Sequence, residues 1–207
     1  KKLFQQGLQE EGYASVSALP PITLTSSSGV LAELRNEFSA IQQMWQTTLG
    51  VNVKIDDIDF NKLLNDIPAS TNNAKGLQMW GIAWIADYPD PQDWTTLQFD
   101  KGVPNNNMNY GQNNSTDAAQ QQATQQLLEQ ADVNPDNASR MKQYNQAEQQ
   151  LVNDVAWLPM DQETLTIVRK PCIVGAIDNA QELIPPKDWA AVYVSTAAPC
   201  ADTSSYQ

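Results

Sequence analysis

The chain has 207 residues, 41% of them hydrophobic and six of them Trp, which is the size of one domain and enough to bury a real core. Twelve basic against 24 acidic residues leave a net charge of −12, and that balance excludes a nucleic-acid partner or an anionic membrane surface. No apolar run approaches the roughly 20 residues of a membrane helix.

The acids are dispersed, so they read as a solvated surface before they read as an electrostatic trap for cations. The first residues carry no secretory-signal pattern, which bears only on where this sequence starts. Charged residues make up 17% and Asn, Gln, Ser and Thr are abundant, a composition that suits an exported protein. Cys172 and Cys200 are the two cysteines, with 27 residues between them. Such a pair suggests a disulfide in an oxidising compartment, worth about 3 kcal/mol by chain entropy. Two unrelated buried thiols remain the alternative, because spacing does not show that the Cα atoms come within reach. Two cysteines and no histidine fall short of a zinc set, so neither a metal nor a cofactor is expected.

In chain order, residues 1–11 read as an amphipathic helix with Leu3, Phe4 and Leu8 inward, stopped by Gly12. After Pro20 and Pro21, the β-branched run Ile22 to Thr25 predicts a strand, and Ser26 to Gly29 a polar turn at its carboxyl end. From Val30 to Leu49, the residues Leu31, Leu34, Phe38, Ile41, Trp45 and Leu49 recur at spacings of three and four, giving a helix with one inward stripe. Gly50 suits its C-cap. Val51, Val53 and Ile55 alternate as a second strand, and Asp59 can cap a helix through Phe60, Leu63, Leu64 and Ile67.

Met79 to Trp94 reads MWGIAWIADYPDPQDW. Met79, Trp80, Ile82, Ala83, Trp84 and Ile85, interrupted only by Gly81, predict a third strand covered on both faces. Asp90 has the side chain of an N-cap, Pro91 suits the first helical position, and Asp93 would face the positive end of the helix dipole. Asp87 has no such structural task. It falls after the strand, where open α/β sheets present groups to ligands. Alternating strands and helices predict an α/β fold with a mostly parallel central sheet flanked by helices and right-handed crossovers.

Residues 101–115, rich in Asn and Gly, read as a surface loop, and two helices follow at 116–131 and 137–155. In the second, Met141, Tyr144, Ala147, Leu151 and Val155 form the inward stripe. Residues 157–160 and 164–168 read as extended, Pro185, Pro186, Trp189 and residues 192–194 as a small cap, and residues 196–207 as a flexible tail. No linker divides the chain, so residues 1–207 are expected to form a single domain.

Four separated blocks carry a family resemblance. Trp84 to Pro91 resembles the W-x-x-D-Y-x-D-P segment of the family 5 extracellular solute-binding proteins, the oligopeptide, dipeptide and nickel receptors of ABC importers. Leu8 to Tyr13 is similar to their L-x-E-A-G-Y, Leu49 to Val53 to their L-G-I-x-V, and Arg140 to Pro159 to their R-x-x-x-Y-x-x-A-E-x-x-L-x-x-D-x-x-x-x-P. Tyr110 matches the aromatic of their N-x-x-x-Y-x-N segment, where the loop returns to the lobe. The resemblance runs from about Lys2 to Arg169 and implies a periplasmic-binding-protein-like (class II) lobe. Because members of the family are more than twice as long, it implies the C-terminal lobe of a two-lobed receptor, with the N-terminal lobe absent here. In the peptide-binding members, the Asp matching Asp87 takes the peptide α-amino group and the Trp matching Trp84 lines a side-chain pocket. Asp87, Trp84 and Tyr88 are therefore the candidate ligand residues, and Asp90, Pro91, Cys172 and Cys200 the structural ones.

The implied function is capture of a solute, foremost a short peptide, by closure of two lobes around it and delivery to a membrane permease. A monomer is implied, located outside the cell as a membrane-anchored lipoprotein or in the periplasm. Two other classes compete with this reading. A secreted glycoside hydrolase would use paired carboxylates such as Asp87 and Asp93. A sensor or scaffold lobe would bind a partner protein. Without histidine, the usual general base and the His-based triads are excluded, and no P-loop, G-x-S-x-G or dinucleotide glycine pattern occurs. No enzyme activity is expected.

Overall fold

The computed structural model of the chain describes residues 1–103, 108–114, 116–162, 164, 166–170, 172–179 and 184–197. Its centre is a three-stranded parallel sheet in the order β2-β1-β3, made of β1 (Ile22–Ser26), β2 (Val53–Asp57) and β3 (Met79–Trp80). β1 pairs with β2 from Ile22 opposite Val53 to Ser26 opposite Asp57, and with β3 at Leu24 opposite Met79 and Thr25 opposite Trp80. Helix α1 (Lys2–Glu10) precedes the sheet, and α2 (Ala32–Leu49) and α3 (Phe60–Ala69) are the crossovers. The α/β class, the parallel sheet and the flanking helices are those the sequence predicts.

Local signals explain these elements. Gly50 closes α2 with φ 75°, the left-handed conformation a glycine C-cap supplies. Asp59 caps α3 by accepting from the Lys62 amide. Ile41 is buried at the centre of the α2 stripe, whereas Leu31 precedes the helix and is exposed, as is Leu3 in α1. A terminal turn has too few neighbours to cover its apolar side chain.

β3 is the main departure from expectation. It has two residues, and the apolar run Ile82 to Ile85 is not strand; Ile85 is 65% exposed. The pairing is limited by β1, whose end turns toward β2: Gly81 N–H still donates to Thr25 O at 2.9 Å, but the next β1 carbonyl, Ser26 O, receives Ile58 N–H at 2.8 Å. Ser28, just beyond, binds Asp57 through its amide and hydroxyl. Gly81 itself is demanded by α2, because a Cβ there would lie 2.3 Å from the Phe38 ring.

Beyond the sheet come two single-turn helices, α4 (Pro91–Trp94) and α5 (Thr96–Phe99), then the long pair α6 (Ala118–Asp132) and α7 (Asn137–Asn153). Phe99, Tyr110, Leu128, Ala131, Tyr144, Ala147 and Leu151 form the larger buried cluster there. The buried Gln125 amide ties Phe99 O and Tyr110 O, both at 2.9 Å, fixing the return of the loop. Residues 104–107 and 115 of that loop lie outside the described residues. Val155, expected in the α7 stripe, instead follows the helix end, is 80% exposed and has φ 54°. Its conformation terminates the helix, so the periodic spacing stops short of it.

Residues 157–160 run without strand pairing, and Leu165 lies outside the described residues. A separate antiparallel pair joins β4 (Ile173–Val174) to β5 (Tyr193–Val194), with α8 (Pro186–Trp189) between them in the chain. Cys172 is buried beside β4 and no free thiol occurs among the described residues. Cys200 lies outside them, as do residues 198–207 of the expected tail.

Candidate functional site

The segment after β3 is shaped by one buried carboxylate. Asp93, in the first turn of α4, is wholly buried. Its Oδ2 accepts from the Trp84 indole Nε1–H at 3.0 Å and from the Asp87 amide at 3.1 Å. The sequence accounts for Asp93 through the helix dipole alone. The structure shows it folded back to hold the chain nine residues earlier, a task that only tertiary burial reveals.

Asp90 does cap α4, accepting from Gln92 N–H at 3.0 Å, with Pro91 at the first helical position. The same carboxylate oxygen receives Arg140 of α7 at 2.5 Å. That guanidinium is the first cause holding the Asp90 carboxyl below the usual carboxylate range, against the opposing effect of burial. Arg140 also reaches the Tyr144 hydroxyl at 3.0 Å and lies 4.9 Å from the centre of its ring. Tyr144 in turn donates to Asp132 at 2.5 Å, and Asp132 accepts from Thr96 at 2.9 Å. A chain of bonds therefore runs from the 88–91 turn through α7 and α6 back to α5. Sequence reasoning placed Tyr144 only in the core and gave Arg140 no task. Their i, i+4 spacing on one helix face was the available signal.

On this frame, Asp87 stands exposed, and its carboxylate has no hydrogen-bond or ion-pair partner among the described residues. Trp84 is half-buried with its N–H occupied, leaving the ring as its available surface. The hydroxyl of the half-buried Tyr88 donates to Gln92 at 3.1 Å, and burial, followed by the nearby Asp93, raises its pKa. Asp87 is seven residues past β3 rather than at a strand end, because β3 stops at Trp80. The structure thus brings Trp84 and Asp87 together through Asp93, with Tyr88 beside them on the same turn.

A cavity of about 930 Å³ lies elsewhere, between the sheet layer and the helical pair. Trp45, Trp80, Met108, Tyr110 and Trp157 are among its walls, and Trp84, Asp87 and Tyr88 are not. The carboxylate without a partner among the described residues, Asp87, is on the surface turn and not in this cavity. The geometry also disposes of a paired-carboxylate centre: Asp93 is buried and bonded to protein donors, so it cannot face Asp87 across an open cleft.

The chain is 32% identical over 187 residues to the dipeptide-binding protein DppE of Bacillus subtilis, and 25% identical over 178 residues to the oligopeptide-binding protein OppA of the same organism. Each match covers 86% of this chain. The solved structure of AppA from Clostridium difficile superposes with a TM-score of 0.60 at 18% identity, over 91% of this chain and 35% of AppA. The chain is a relative of the family 5 solute-binding proteins. It spans about 30% of the length of the curated relatives it matches. No family model matches the chain. The periplasmic-binding-protein-like fold of these family 5 neighbours is the one the sequence predicts, and the named relatives are binding proteins rather than hydrolases.

Proposed function

We propose that the chain is one lobe of a peptide receptor for an ABC importer, and that Asp87 takes the ligand's α-ammonium group while the Trp84 ring covers the adjoining apolar part. The observation that carries this reading is the exposed Asp87 carboxylate, without a partner among the described residues and held beside an indole whose polar edge is already satisfied. A carboxylate so placed gains a charge-assisted hydrogen bond from an ammonium, and the adjacent ring adds a cation-π or apolar contact. The sequence relatives, named for dipeptide and oligopeptide binding, favour a peptide over other amines.

In the whole receptor, a second lobe closes over the ligand and the closed form docks on the permease outside the cytoplasm. Among the described residues, no helix is long and apolar enough to cross a membrane. A single lobe supplies half the contacts and leaves the ligand in water, so this chain alone binds peptides weakly. Calorimetric titration with a free-amine tripeptide and its N-acetylated form tests the reading. The free amine binds better, and Asp87→Asn abolishes the difference. An unchanged preference in that variant removes Asp87 from its role, and tight binding by the chain alone refutes the two-lobed mechanism.

A further inference from the structure

We propose that Asp93 is the positioning residue of the ligand site and sets its side-chain preference, an inference that rests on the peptide-receptor reading above. Three observations carry it. Asp93 is 0% exposed, a setting in which an ionised carboxylate needs donors. Its donors are the Trp84 indole and the Asp87 amide, one from each proposed ligand residue, and both meet the same oxygen. Its other oxygen, Oδ1, is buried without a partner among the described residues, so there the carboxylate leaves half its bonding capacity unused. A helix-capping role needs none of this, because Asp90 already caps α4.

The consequence concerns what the ligand meets. With Nε1–H consumed by Asp93, Trp84 offers no donor to a ligand carbonyl or carboxylate and meets it through the ring alone. The position beside the ammonium is therefore selective for apolar and aromatic side chains, which gain ring contacts there beyond area burial. The Asp87 amide, pinned to the same oxygen, sets the backbone from which the Asp87 carboxylate projects.

The test has two independent readouts on the 207-residue chain. The first needs no ligand: the Trp84 indole N–H resonance, assigned by its loss in Trp84→Phe, is followed in Asp93→Asn, with the remaining indoles of the six Trp as internal controls. The Trp84 signal moves and its exchange with water accelerates while the other signals stay in place. The second is NMR titration with phenylalanyl-alanyl-alanine and with trialanine. The native chain prefers the aromatic peptide, and Asp93→Asn weakens that binding by about tenfold, the equivalent of one charged hydrogen bond, and erases the preference.

An unmoved Trp84 indole in Asp93→Asn overturns the inference whatever the peptides do. A shifted indole with unchanged peptide binding makes Asp93 structural only and leaves the receptor reading standing, provided Asp87→Asn still loses the ammonium preference. If Asp87→Asn changes nothing, the receptor reading fails and this inference with it. Asp93→Ala, which removes both acceptors, is the second variant: in it the two readouts move further in the same direction, and spread of the shifts to all six indoles marks general unfolding and overturns the positioning role.

Discussion

Around α6 and α7, seven side chains from four segments are sealed into one cluster, and Phe99, Leu128, Ala131, Ala147 and Leu151 are completely inaccessible. Around the sheet, Leu24, Val51 and Val53 are the buried cluster, and Phe38, Trp45 and Met79 pack against it only partly covered. The 930 Å³ cavity explains the difference, since Leu24, Phe38, Trp45 and Met79 line it. The helical pair is complete within itself, and the sheet layer has one flank less well filled. The candidate site hangs from the sheet by β3 and is braced from behind by the helical pair through Arg140.

The largest expected effect separates the two regions directly. Leu128→Ala leaves a sealed void and costs about 3–5 kcal/mol in urea unfolding, whereas Leu24→Ala enlarges an existing space and costs about 2 kcal/mol. Equal losses would show that the sheet layer is packed as tightly as the helices. Next, Arg140→Met strands Asp90 and costs about 2 kcal/mol, below the range for fully buried pairs because the two side chains are 18% and 31% exposed. Gly81→Ala forces the Phe38 ring toward the cavity and costs about 1–2 kcal/mol; a much larger loss would mean that the cavity cannot receive the ring. Val155→Gly acts in the opposite sense, relieving a β-branched residue at φ 54° and adding about 0.5–1 kcal/mol.

The smallest effects are those of pH, and the two regions respond with opposite signs. Ser28 donors, its amide first, hold the Asp57 carboxyl at the sheet below the ordinary value, so its contribution is present above the unfolded pKa of about 3.9 and is lost as pH falls through the lower folded value. Asp90 behaves alike through Arg140. Burial raises Asp100 beside the helical cluster, so its contribution is fully present below about pH 3.9 and is lost as pH rises through its higher folded value. Urea midpoints between pH 3 and 6 should therefore rise slightly on mild acidification and then fall. Asp100→Asn removes the rise and Asp57→Asn weakens the fall; a monotonic profile in the native chain would contradict this assignment of signs.

How far the sequence carries the reader depends on the range of the interaction. Helices α2 and α7 are legible from apolar spacing, β1 and β2 from β-branched alternation, and the Asp59, Gly50 and Asp90 caps from local chemistry. The length of β3 was not, because an apolar run such as Met79 to Ile85 reports burial, whereas pairing depends on where the partner strand turns away. Asp93 misled for a related reason: a nearby helix start offered a sufficient local explanation and concealed a bond to an indole nine residues away. Val155 kept the stripe's spacing past the point where the helix stops. For the proposed site, Trp84, Asp87 and Tyr88 are suggested by their motif; the groups that hold them, Asp93 and Gln92, lie in the same stretch, and it is the Arg140 brace on Asp90 that comes from a distant segment.

The bond between Asp90 and Arg140 joins positions 50 apart in the chain. During synthesis, the stretch bearing the indole and the free carboxylate leaves the ribosome well before the helix that braces it. A truncated product ending at residue 136 would contain each proposed ligand residue and still lack the guanidinium behind the turn, so the turn gains its brace only once α7 has been made.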